Sequence, residues 1–119
     1  MTMTKEVTDC IDACTSCAKL CRECAEECKS HTGMEKCVEL CITCADECDR
    51  HSGRLQANDH SHAETCVAAC EACAAECEKG AHHMEVCGRC ATACRRCAET
   101  CQTAEAATPK PQGGCCQGN

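Results

Sequence analysis

The sequence predicts an all-α fold, an antiparallel up-down four-helix bundle with a Cys-lined core. Three observations predict it. Nineteen of the 21 cysteines fall in four runs, and within each run they recur at alternating spacings of four and three. That spacing is the a/d seam of a helix packed in a bundle. Two of the three breaks between runs are tight and carry Gly as a helix stop, which makes sequential helices antiparallel neighbours. The chain has no Phe, Trp or Tyr, so thiols hold the seam that Leu and Ile usually fill.

The first helix is expected over about Lys5 to Ser30. Its seam is Cys10, Cys14, Cys17, Cys21, Cys24 and Cys28. The turn His31-Thr32-Gly33 leads to a second helix, about Met34 to Ser52, with Cys37, Cys41, Cys44 and Cys48. A longer crossover, Gly53 to His62, joins the two hairpins. The third helix, about Ala63 to Lys79, carries Cys66, Cys70, Cys73 and Cys77. The turn Gly80-Ala81-His82 precedes the fourth, about Met84 to Ala107, with Cys87, Cys90, Cys94, Cys97 and Cys101. The expected domain is therefore 1–107. Residues 108–119, with Pro109, Pro111, Gly113, Gly114 and Gly118, read as a disordered tail holding Cys115 and Cys116. The string C-x3-C-x2-C-x3-C occurs in every helix, so duplication of a helical hairpin is its simplest origin.

Heptad assignment places Cys14, Cys21, Cys28, Cys41, Cys48, Cys70, Cys77, Cys87, Cys94 and Cys101 at a. The other nine core thiols fall at d. Flanking positions are often small or aliphatic, such as Ala18, Leu20, Ala25, Ala45, Ala74, Ala91 and Ala98, which lets helices approach. Glu23, Glu26, Lys29, Glu39, Glu71, Glu78, Arg95 and Arg96 fall on outer faces.

Composition excludes several functions. The net charge is −7 with both signs mixed along each helix, which offers no basic patch for nucleic acid. Without aromatics there is no stacking platform for single strands. No run is long and apolar enough to span a membrane, and Met1 to Glu6 lacks the apolar stretch of a secretion signal. The reading is a cytoplasmic chain whose cysteines stay reduced. No Ser-His-Asp arrangement or phosphate loop is visible, so no enzyme is expected.

Thiols at i,i+3 or i,i+4 have Cβ atoms roughly 5–6 Å apart on one helical face, so one soft ion can bridge two of them. The first run spans about 27 Å at helical rise, room for bridging pairs to stack along the axis. Thiolates select Cu(I), Zn(II) and iron–sulfur clusters. Charge decides among these. A Zn(II) held by four thiolates carries a net charge of about −2, which is costly to bury, whereas one Cu(I) per thiolate is neutral. The core therefore suits many Cu(I) ions, on the order of its thiol count. Iron–sulfur motifs present four thiolates from a loop, and here the thiols continue along straight helices. Disulfides within one helix are strained because all its Cβ vectors tilt one way.

One end of such a bundle collects His31, Met34, His82, His83 and Met84. His31, Met34 and His83 continue the seam register, and imidazole and thioether both suit Cu(I). This end reads as a mouth. The opposite end holds Met3, Val7, His51, Leu55, His60 and His62. Val7 and Leu55 read as an apolar plug; His51 is in register, either as a ligand or as a core residue; His60 and His62 read as solvated loop residues.

The four C-x3-C-x2-C-x3-C helices resemble the bacterial copper storage proteins, in the cytosolic branch without a secretion signal. The resemblance covers about Cys10 to Cys101. It implies a four-helix bundle, a homotetramer, storage of many Cu(I) ions along the core, and a His/Met end matching His31, Met34, His82, His83 and Met84. The Cys115-Cys116 tail departs from that pattern. The expected partners are copper ions, further copies of the chain, and a copper chaperone or small-thiol donor. The expected function is copper storage or detoxification. The alternatives are a thiol–disulfide redox module and a zinc or mixed-metal buffer.

Overall fold

The computed structural model describes residues 4–81 and 84–107. Helix α1 spans Lys5–Cys28, α2 Glu35–Gln56, α3 Ala63–Gly80 and α4 Glu85–Ala107. Thr4 starts α1 as an N-cap, its hydroxyl accepting from the Val7 amide at 3.2 Å. At the first turn, Gly33 takes φ +90°, a conformation that L side chains rarely adopt.

Around the square, α1 packs on α2 and α4, and α3 packs on α2 and α4. Sulfur pairs show the directions. Early Cys10 meets late Cys101, and late Cys28 meets early Cys87, so α1 and α4 run antiparallel. Cys24 meets Cys37 while Cys17 meets Cys44, and Cys41 meets Cys77 while Cys48 meets Cys66, giving the same relation for α1/α2 and α2/α3. The predicted up-down bundle is the observed one.

One boundary differs clearly from the sequence expectation. Helix α2 does not stop at Ser52 but continues through Gly53 to Gln56. Burial drives the extra turn: Leu55 lies at the next a position and is only 1% exposed. The energy of placing Leu55 in the core outweighs the roughly 1 kcal/mol cost of a helical Gly. Asn58 provides the true stop. It adopts φ 63°, its amide donates to the Leu55 carbonyl at 2.9 Å, and the Asp59 amide donates to the Arg54 carbonyl at 2.8 Å. This paired pattern is a Schellman cap with Asn in the left-handed position.

The interior is thiol and Ala. Ala18, Ala25, Ala45, Ala74, Ala91, Ala98 and Ala104 are buried between helices beside the cysteines. Small side chains at the contact allow close helix approach. Outside, Arg22 bridges Asp46 at 3.2 Å and Asp49 at 2.8 Å, clamping α1 to α2, and Arg95 grips Glu78 at 2.9 and 3.0 Å, clamping α4 to α3. These pairs are about half exposed and screened by solvent, so they fix register more than stability. Among the described residues no helix is long and apolar enough to cross a membrane.

Candidate metal centre

All nineteen predicted seam cysteines are free thiols and all are buried. Helical periodicity alone would place them on inner faces; the sulfur distances show that they also converge on one axis. Across the diagonals of the square, Cα atoms of the described residues stay more than 8 Å apart. Yet Cys21 of α1 reaches Cys73 of α3 at 4.0 Å, and Cys41 and Cys44 of α2 reach Cys90 and Cys94 of α4 at 3.9 Å. The side chains bridge a gap that the backbones leave open.

The contacts form a continuous column. From the crossover end, Cys10 stands 2.7 Å from Cys101, Cys101 3.6 Å from Cys14, and Cys14 3.5 Å from Cys97. Cys48 links Cys97, Cys66 and Cys70 at 3.7–3.9 Å. Cys44, Cys17, Cys94 and Cys21 follow, then Cys90, Cys73, Cys41 and Cys77. Cys37, Cys24, Cys87 and Cys28 finish the column. Sets such as Cys17/Cys21/Cys44/Cys94, Cys21/Cys73/Cys90/Cys94 and Cys24/Cys28/Cys37/Cys87 keep four sulfurs within 4.8 Å of one another.

These spacings fit soft-metal bridging. With a metal–thiolate bond of about 2.3 Å, two sulfurs on one ion lie about 3.8 Å apart in tetrahedral geometry and about 4.6 Å apart in a linear one. Most observed separations fall at 3.5–4.0 Å. Thiol pairs at these separations already span the distance of a metal bridge. Consecutive tetrads share members, Cys21 and Cys94 for example, so each sulfur can bridge two ions.

The two ends differ. At the end formed by the α1/α2 and α3/α4 turns, the Met84 thioether lies 3.7 Å from the Cys28 thiol. Met34 and Met84 are half-buried against the core. Met34 leans over Gly80: a Cβ built there would stand 2.9 Å from the Met34 methyl and 3.3 Å from the Cys87 sulfur. His31 is exposed. The structure thus brings Met34 and Met84 to the column and leaves His31 outside it. His82, His83, Cys115 and Cys116 lie outside the described residues.

At the crossover end, Val7 and Leu55 are buried, as expected of a plug. His51 is also buried, at 1% exposure. The expectation of solvated His60 and His62 is corrected. His62, immediately before α3, is mostly buried and pairs through Nε2 with Glu47 of α2, and Nε2 of His60 is buried. The crossover folds back over the bundle end because α2 is a full turn longer than expected, which shortens the loop. The His51 and His62 rings stand 6.5 Å apart. His62 and Glu47 give no sequence signal, because neither lies in the seam register.

The empty column mixes thiols pushed toward the protonated form with thiols held low by neighbouring sulfurs. Burial, the largest cause in each case, pushes Cys28, Cys37 and Cys87 up from their ordinary value. Cys10 moves the other way: hydrogen bonds from Cys101 and Cys14, with help from His51, overcome burial and hold it low. For His51, burial opposes the charged form, but Cys10 and the sulfur charges of Cys66 and Cys97 outweigh it and raise the imidazole. Glu47 is held low by His62 and Arg50.

Residues 3–106 match the family described as Csp, copper storage protein. A cytosolic copper storage protein from Streptomyces lividans, solved with five coppers, superposes with TM-score 0.82 at 31% identity over 88% of this chain and 96% of that one. The same Streptomyces lividans protein loaded with 10 copper equivalents gives TM-score 0.82 at 30% identity, covering 87% of this chain and 86% of that one. Cu(I)-bound copper storage protein BsCsp3 gives TM-score 0.76 at 32% identity, covering 84% and 98%. No curated protein sequence matches the chain.

Proposed function

The chain belongs to the copper storage protein family, and from that premise we propose how its own residues take up and hold the metal. It stores multiple Cu(I) ions on the thiolates of its core: Cys10, Cys14, Cys17, Cys21, Cys24 and Cys28 of α1, Cys37, Cys41, Cys44 and Cys48 of α2, Cys66, Cys70, Cys73 and Cys77 of α3, and Cys87, Cys90, Cys94, Cys97 and Cys101 of α4. The observation that carries this reading is the unbroken sulfur column, with contacts across both diagonals. Each Cu(I) arriving from a donor displaces a thiol proton, which leaves to solvent. One positive charge replaces another, and the buried column remains neutral at about one ion per thiolate. A Zn(II) filling would leave net charge in the same buried space, which disfavours it.

The Met84 and Met34 thioethers form the innermost part of a mouth, with exposed His31 outside them; His82 and His83, the other two residues expected of that end, lie outside the described residues. Thioether and imidazole are neutral ligands, so they can pass Cu(I) inward by exchange without altering the charge balance. Met84 is the first step, since its sulfur already touches Cys28. The chain acts as a non-catalytic store or detoxifying buffer in the cytoplasm, assembles as a homotetramer, and receives copper from a chaperone or a small thiol. Family likeness supports the assembly, and likeness to the cytosolic Streptomyces lividans protein supports the compartment.

Anaerobic titration with Cu(I), followed by native mass spectrometry, tests the function. A filling series ending near the count of core thiols, with those thiols then protected from a modifying reagent, is the expected result. Saturation near a quarter of that count, equally reached with Zn(II), would overturn it in favour of a zinc buffer. A reversible dithiol potential with no filling series would favour a redox module.

A further inference from the structure

We propose that the copper column ends, at the plugged crossover end, in a mixed nitrogen–sulfur site in which the His51 imidazole and the Cys10 thiolate hold one Cu(I). The inference rests on the storage reading and extends it to a residue outside the thiol set.

Four observations place His51 there. It is 1% exposed, in a bundle whose only other buried polar residue among those described is Ser52. Its Nδ1 is fully buried and has no hydrogen-bond partner. A buried, unpaired ring nitrogen carries a desolvation penalty that any apolar residue would avoid. Its position is the d site one heptad after Cys44, so it replaces a sulfur in the seam and points down the same axis. Finally, it stands against Cys10, the sulfur that begins the column at this end.

Chemistry selects the ion. A thiolate and a neutral imidazole make a two-coordinate set of net charge −1, which one Cu(I) neutralises. Nδ1, which has no hydrogen-bond partner, is the nitrogen free to bind such an ion, its proton, if present, leaving to solvent. The site is terminal and not a second port, because Leu55 and Val7 close the space beyond it. His62, held by Glu47 and 6.5 Å from the His51 ring, seals the flank.

Two measurements on the full chain test the proposal. The first follows the imidazole nitrogens by long-range ¹H–¹⁵N correlation during anaerobic Cu(I) titration, with His51 assigned from its absence in His51→Leu. Coordination predicts that one His51 nitrogen shifts on loading while the protein stays folded. The second titrates loaded protein with a competing Cu(I) chelator, where His51→Leu, which keeps every thiolate, should fill to the parent's count but surrender one Cu(I) at several-fold lower chelator. Unmoved His51 nitrogens in a fully loaded parent would overturn the site while leaving storage intact. A parent that shows no filling series would instead overturn storage itself. The nitrogen shifts are read on the parent protein, so a poorly folding variant leaves the proposal falsifiable.

Discussion

Replacing Cys21 by Ala separates two ways in which the column can count its metal. Cys21 is fully buried and touches four sulfurs: Cys17 at 3.8 Å, Cys73 at 4.0 Å, Cys94 at 3.7 Å and Cys90 at 3.6 Å. It belongs to two of the four-sulfur sets, one with Cys17, Cys44 and Cys94 and one with Cys73, Cys90 and Cys94. If discrete four-thiolate sites set the capacity, Cys21→Ala damages both sets. If charge balance sets it, the variant has one negative charge fewer and holds one Cu(I) fewer, because the remaining sulfurs re-share their ions. The empty variant should lose about 1–2 kcal/mol, the transfer energy of one small group plus the cavity it leaves, and should still fold. Native mass spectrometry after anaerobic loading reads the capacity; urea unfolding under reducing conditions reads the stability. Cys28→Ala, at the column's end, should show the same loss of a single ion. A central variant losing several ions at once while the terminal one loses a single ion would refute the charge argument.

Two further outcomes follow from the same geometry. Burial raises the thiols of Cys28, Cys37 and Cys87 above their ordinary value of 9.0, so the empty fold binds their protons more tightly than the unfolded chain does. Their contribution to stability is fully present below about pH 9 and is lost as pH rises above it; the ¹³Cβ resonances of these three cysteines in the metal-free protein should remain those of thiols at pH 9, and thiolate shifts below that pH would contradict the burial. Met84→Leu keeps the apolar volume but removes the sulfur 3.7 Å from Cys28; stopped-flow loading should slow several-fold while final capacity stays unchanged, and a lost ion instead would make Met84 a storage ligand.

Most of the fold is legible in the sequence because one residue type writes it. Cysteine at four-three spacing marks the inward face of each helix, and the described structure keeps every one of those thiols inside. The end of α2 is misplaced when Gly53 is weighed as a stop. The better signal is register: His51 and Leu55 continue the seam past Gly53, and Asn58 supplies the left-handed cap. The ends of the column are less legible for a different reason. Whether a histidine in a turn faces solvent or a neighbouring helix depends on the path of the loop. Glu47 lies off the seam on α2 and meets His62 only because the crossover folds back over it. The mouth divides the same way: Met84 reaches sulfur through the last turn before α4, while His31 in the opposite turn stays outside.

Leu55 and Val7 stopper the far side of the bundle, which makes the interior a blind tube. Cargo admitted at one side must pass along a shaft with no through-flow. With entry at the Met84 end, as proposed, the earliest arrivals would rest deepest and depart last, so dwell time would become a function of depth and withdrawal would draw first on the most recent deposits.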